Sequence, residues 1–244
     1  MLEEAVIEFK KYVEEFDKSI VKNNLKSNHS FKVMELMKKL AFRLNLDKEK
    51  IELAGLIGLL HDTGRFIQVK EINSFKDSKL DHAKLGADYL FNEGHIRDFI
   101  KDNKYDNIIE KAIRNHNKFI IDSDLNEEEL LFTKMIRDMD KVDIYCQTAT
   151  HYEEKFNADE VTKEVLEAFK DEKAINITKC KTSSDIVLLT LAFIFDINFN
   201  ESFDILVETD NFDLFLSTVE VSDTSEKLWK KIREVCFDKI NRGV

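Results

Sequence analysis

The chain has 244 residues, 43% of them hydrophobic, which is enough for a sizeable globular core and too apolar for a disordered chain. Its formal net charge of -11 argues against a general nucleic-acid or anionic-membrane binder, although a local metal ion or arginine still gives a small phosphate ligand a place to bind. Cys146, Cys180 and Cys236 are far apart and in no metal-ligand spacing, the N-terminal stretch MLEEAVIEFKKYVEEF does not read as a signal peptide, and the apolar stretch from Ile186 to Phe195 is too short to span a bilayer, so a reduced, cytoplasmic setting is expected.

Proline is absent and glycines number 6, so little interrupts helix formation. Val6, Phe9, Val13, Phe16 and Ile20 mark one face of a first helix. A second is predicted from Asn28–Ser30 to about Leu44, with Val33, Leu36, Leu40 and Leu44 inward. Asp47 can cap a third, which runs through IELAGLIGLL to His61, with Gly64 as its stop. Residues 65–80 read as a loop, and further helices are expected at 82–93, 105–117, 127–152, 158–171, 183–197 and 223–241. There is no internal repeat and no Gly/Pro/Ser seam, so residues 1–244 are read as one all-α domain with a C-terminal helical extension over about 155–244. The apolar 186–195 segment is read as an interior helix, with a dimer interface as the alternative, which leaves a homo-oligomer open.

The dipeptide His61-Asp62 closes the long apolar run. A carboxylate beside an imidazole at the end of a buried helix is costly unless something satisfies it, and one divalent cation can do so. The other polar groups follow the same pattern. His29 shares the face of Val33, Leu36 and Leu40; His61 that of Ala54 and Ile57; His82 that of Gly86 and Tyr89; His116 that of Ile109 and Ala112; and Asp140 that of Phe132 and Ile136. A single histidine on an apolar face is ordinarily a hydrogen-bonded core residue. Several such groups on separate helices, two of them adjacent, point instead to a cation held inside a helix bundle. His95 and His151 lack the inward pattern and are read as surface or structural.

The order His29, His61-Asp62, Asp140 resembles the H…HD…D signature of the HD-domain superfamily of metal-dependent phosphohydrolases. The flanks Leu59-Leu60-His61-Asp62-Thr63-Gly64-Arg65-Phe66 and Arg137-Asp138-Met139-Asp140-Lys141-Val142-Asp143 add to the likeness, which covers roughly residues 25–150. Met139 departs from it, since the family usually has a small residue there. The resemblance implies a helical bundle of the HD type and one divalent ion on His29, His61, Asp62 and Asp140. In its dinuclear form a second ion rests on His82 and His116, with Asp62 bridging; two ions are the preferred reading, because paired ions recur in phosphate-cleaving sites.

Imidazole and carboxylate ligands suit Mn, Fe, Co, Ni or Zn. Such an ion activates water and offsets charge on a phosphoryl oxygen, with Asp62 as the central carboxylate. Arg65 is the leading phosphate-binding and catalytic candidate, because its fork can grip two oxygens; the alternative is an arginine interacting with a helix dipole. Gln68, Lys84, Asn117 and Lys118 are further substrate-binding candidates, Asp143 is expected to orient a ligand from behind, and the loop around Ser74, Phe75, Lys76 and Asp77 is placed to cover the site. The expected activity is hydrolysis of a small phosphate ester, a phosphomonoester or phosphodiester of a nucleotide or metabolite, with no nucleic-acid polymer or membrane as partner. The same ligand set also resembles that of di-iron oxygenases on the HD fold, and a non-catalytic nucleotide-binding module is the third reading.

Overall fold

The computed structural model describes every residue except 18 and 152–154, together with the side chain at 151, so His151 lies outside the described side chains. The chain divides into two compact units, Met1–Asp140 and Lys141–Val244, with the boundary inside a long helix. Both units are almost wholly helical, the all-α class expected from the sequence.

The first unit holds α1 (Leu2–Glu14), α2 (Val21–Arg43), α3 (Lys48–Leu60), α4 (Thr63–Ile72), α5 (His82–Ala87), α6 (Ile96–Phe99), α7 (Asp106–Asn115) and most of α8 (Glu127–His151). At its centre is α3, buried continuously from Leu53 to Leu60, a helix apolar all round that packs on α1, α2 and α7. The Asp47 carboxylate accepts from the Lys50 amide at 2.9 Å and so caps the start of α3. Asp47→Ala is expected to lower stability by about 1 kcal/mol, the ordinary worth of an N-cap, read as a shift in the urea midpoint; an unchanged midpoint would show that the cap is dispensable.

Four expectations are corrected here. The buried stripe of α1 is Leu2, Ala5, Phe9 and Tyr12; of the expected face Phe9 is buried, whereas Val6, Val13, Phe16 and Ile20 are only partly so. Tyr12 selects it: its ring packs edge-on against Phe66 at 5.7 Å between centroids, and its hydroxyl donates to the Thr63 carbonyl at 2.8 Å. Helix α2 starts at Val21 rather than near Asn28, because its first turns bury the polar Asn23 and Lys26, which apolar periodicity does not detect. Residues 65–72 are helix, not loop, and Gly64 sits in the first turn of α4 rather than ending α3. The break between α3 and α4 falls at Asp62 (φ -102°, ψ 15°), and α4 ends at Asn73 in the left-handed region (φ 46°). Gly64 serves close packing: a Cβ there would lie 2.1 Å from the His82 carbonyl oxygen and 2.4 Å from the Gly86 amide nitrogen.

The second unit contains the end of α8, α9 (Lys163–Lys170), α10 (Ser183–Leu191), α11 (Asn200–Glu208), α12 (Asn211–Thr218) and α13 (Glu226–Arg242). Two short strands, β1 (Lys155–Phe156) and β2 (Glu220–Val221), pair in parallel. Helices α6, α11 and α12 and both strands were not expected; α6 and the strands are too short to set up a readable period, and α11 gives way to α12 at Asp210, whose φ is 54°. Within this unit α10 is interior, with Val187, Leu188, Leu189 and Leu191 buried. Among the described residues no helix is long and apolar enough to cross a membrane.

Candidate metal centre

Five helices of the first unit bring polar groups to one buried place. His29 comes from the middle of α2, His61 from the end of α3, Asp62 from the break before α4, His82 from the first position of α5, His116 from the end of α7 and Asp140 from α8. All but Asp140 are buried, and that carboxylate is only 16% exposed.

The donor atoms form two sets that share Asp62. In the first, His29 Nε2 lies 3.2 Å from His61 Nε2, 3.0 Å from Asp140 Oδ1 and 3.5 Å from Asp62 Oδ2. His61 Nε2 lies 3.6 Å from Asp62 Oδ2 and 3.7 Å from Asp140 Oδ1. In the second, the other oxygen of Asp62, Oδ1, lies 3.2 Å from His82 Nε2 and 3.8 Å from His116 Nε2, and those two nitrogens are 2.9 Å apart. An ion with ligands at about 2.1 Å sets neighbouring donors about 3.0–3.5 Å apart, so these separations are close to those of coordination edges.

Hydrogen bonds behind the rings fix which nitrogen faces inward. His61 Nδ1 donates to the Gly58 carbonyl at 2.8 Å, His116 Nδ1 to the Ile113 carbonyl at 2.7 Å and His82 Nδ1 to Asp77 Oδ1 at 2.6 Å. Each of those acceptors can only accept, so each ring carries a proton on Nδ1 and, when neutral, presents a bare Nε2 lone pair. The lone pairs of His82 and His116 therefore face each other at 2.9 Å, an arrangement that repels unless a cation or a proton stands between them. The donor set fits a divalent ion on this ground.

Electrostatics point the same way. Burial pushes the Asp62 carboxyl up, but the Lys26 ammonium and the surrounding His61, His116 and His82 rings outweigh it and hold the group well below the usual carboxylate range. For Asp140, burial is likewise outweighed by the adjacent His29 and His61 rings. Asp77 is brought down to about 2: burial opposes ionisation, and His82, Arg65 and Gln68 overcome it.

The remaining predicted residues are placed differently. Arg65 is spent largely on the loop after α4: Nη1 donates to Asp77 Oδ1 and to the Phe75 carbonyl, both at 2.9 Å, and Nη2 to Asp77 Oδ2 at 3.3 Å. Its Nε–H, 3.6 Å from Asp62 Oδ1, is buried without a hydrogen-bond partner. Gln68 is buried and bonds to Asp77 and to the Leu80 carbonyl. Lys84, Asn117 and Lys118 are not part of the cluster; they pair with Asp88, Asp81 and Asp122. Asp143 is buried, lies in the second unit and accepts from Gln147 at 2.9 Å. His95 stacks on Tyr89 and pairs with Asp98 at 2.8 Å, as a surface residue does.

Two participants escaped the sequence reading in these roles. Lys26, one turn before His29, places Nζ 2.7 Å from Asp62 Oδ2 and is almost buried. Its position three residues before a candidate ligand was the available signal. Asp77 was marked only as part of a covering loop, yet it bonds directly to His82. The loop does come close: the Phe75 ring lies 5.7 Å from Lys26 Nζ and 5.6 Å from Arg65 Cζ, and both cations border Asp62.

A helical bundle with converging buried imidazoles and carboxylates defines a protein of the helical metal-site class. Residues 27–145 match the family model of the HD domain, within a few residues of the extent read from the motifs, so this segment is a domain of the HD-domain superfamily, which generally indicates a metal-dependent hydrolase. No curated protein and no solved structure matches the chain.

Proposed function

We propose that this protein is a metal-dependent phosphohydrolase acting on a small phosphomonoester or phosphodiester, of a nucleotide or another metabolite, with two divalent ions drawn from Mn, Fe, Co, Ni and Zn. The observation that carries the reading is the division of labour at Asp62: Oδ2 faces His29 and His61, and Oδ1 faces His82 and His116. A carboxylate with one oxygen toward each donor set is what a bridged pair of cations requires. When bound, such ions lower the pKa of a coordinated water and stabilise charge on a phosphoryl oxygen.

The chain's own groups supply the rest. Lys26 adds positive charge beside Asp62, and the orphaned Nε–H of Arg65 is a donor that a phosphoryl oxygen can satisfy. Arg65→Ala is expected to raise KM while the ion on His29, His61, Asp62 and Asp140 is retained; loss of that ion would give Arg65 a different role. His82→Ala and His116→Ala should each release one ion and keep the other on His29, His61, Asp62 and Asp140, as read by elemental analysis. Wild-type protein with a single ion would favour a mononuclear site.

The deciding experiment loads metal-free protein with each ion in turn and screens nucleotides and generic phosphate esters for phosphate release. Stoichiometric metal with tight nucleotide binding and no turnover would instead support a regulatory module. Bound iron with substrate-dependent oxygen consumption would support an oxygenase.

A further inference from the structure

His82 differs from His61 and His116 in how its ring is held. His61 and His116 lie at helix ends, where the carbonyl three residues earlier in the same helix accepts the Nδ1 proton. His82 is the first residue of α5 and has no preceding turn to supply that carbonyl. The acceptor comes from the loop, as Asp77 Oδ1 at 2.6 Å. That carboxylate is itself held from α4, by Arg65 Nη1 at 2.9 Å, by Arg65 Nη2 on the second oxygen at 3.3 Å, and by Gln68 Nε2 at 3.1 Å. Arg65 and Gln68 are three residues apart and share one face of α4, so the helix presents both to the returning loop.

We propose that Asp77 is a positioning residue: it sets the tautomer and direction of the His82 ring, and Arg65 and Gln68 hold it in place through the 73–81 loop. The inference deepens the metal-site reading above and rests on it. A carboxylate acceptor keeps the proton on Nδ1, points the bare Nε2 at Asp62 Oδ1 and His116 Nε2, and makes the ring a stronger ligand than a carbonyl would. The consequence is local. The His82/His116 side of the cluster depends on the docked loop, while the His29/His61/Asp140 side, held by other elements, does not.

The test has two readouts. Long-range proton–nitrogen NMR of metal-free protein should show His82 as the Nδ1–H tautomer in the wild type, and a mixture of tautomers in Asp77→Ala. Asp77→Asn, which keeps an acceptor and loses the charge, should retain the Nδ1–H form. Calorimetric titration with MnCl2 should then show the second equivalent weakened about 10- to 100-fold in Asp77→Ala, less in Asp77→Asn, and the first equivalent unchanged in both. An unaltered His82 tautomer in Asp77→Ala, equal weakening of both equivalents, or no weakening of the second would each overturn the proposal. Wild-type protein that takes up only one ion would overturn the two-ion reading, and the tautomer measurement would still decide the role of Asp77.

Discussion

Asp62→Ala is expected to release bound metal and to lower phosphate-ester hydrolysis by at least about 10²–10³-fold, the scale on which loss of one charge-stabilising group acts in a buried site. Both oxygens of this carboxylate are committed, one to each set of imidazoles, so its removal strips a donor from both sides at once. The change also leaves the Lys26 ammonium, now 2.7 Å from Asp62 Oδ2, buried without its counter-charge. Breaking a buried pair in this way costs about 3–5 kcal/mol, so metal loss has to be separated from unfolding. Asp62→Asn keeps the volume and one acceptor and isolates the charge. It should bind metal far more weakly than the wild type while retaining the helical circular dichroism signal. His61→Ala should likewise release metal, because its Nε2 is near both Asp62 and Asp140. Stoichiometric metal retained in both His61→Ala and Asp62→Ala, measured by elemental analysis of folded protein, would contradict the assignment.

The donor residues were legible in the sequence for a physical reason. A buried imidazole or carboxylate on a helix must occupy the apolar stripe, so His29, His61, His82, His116 and Asp140 all appear at three- or four-residue spacing from core side chains. What holds the donors was not legible, because its partners are distant in sequence. Asp77 finds its meaning only when α4 folds Arg65 and Gln68 toward the returning loop. Lys26 sits in the polar run VKNNLKSN, which has no apolar period, and its burial follows from an ion pair with a residue on another element. The same limit explains the corrected elements. Apolar periodicity finds faces that pack on hydrocarbon; it does not find the start of α2, where the buried groups are polar, or a stripe chosen by the hydroxyl of Tyr12. Gly64 misleads for a related reason: a glycine after an apolar run signals a helix end or a close approach, and only the partner helix distinguishes the two.

Gly64→Ala is expected to destabilise the first unit by about 3 kcal/mol or more, at the upper end for overpacking, and to weaken the His82 side of the metal centre with it. The added methyl would lie 2.1 Å from the His82 carbonyl oxygen and 2.4 Å from the Gly86 amide nitrogen. Both obstacles are backbone, so no rotamer change relieves the contact; α4 and α5 must separate, and the carbonyl in the way belongs to a candidate ligand residue. Gly94→Ala is the matching control. Its φ is 88° and a methyl added there would meet nothing within 4 Å, so only left-handed backbone strain of about 1–2 kcal/mol is added, away from the donors. Urea unfolding should therefore rank wild type above Gly94→Ala above Gly64→Ala, and manganese titration should show a weakened second equivalent in Gly64→Ala alone. A Gly64→Ala protein with wild-type stability and an unaltered second equivalent would mean that the α4–α5 crossing yields easily and does not set the position of His82.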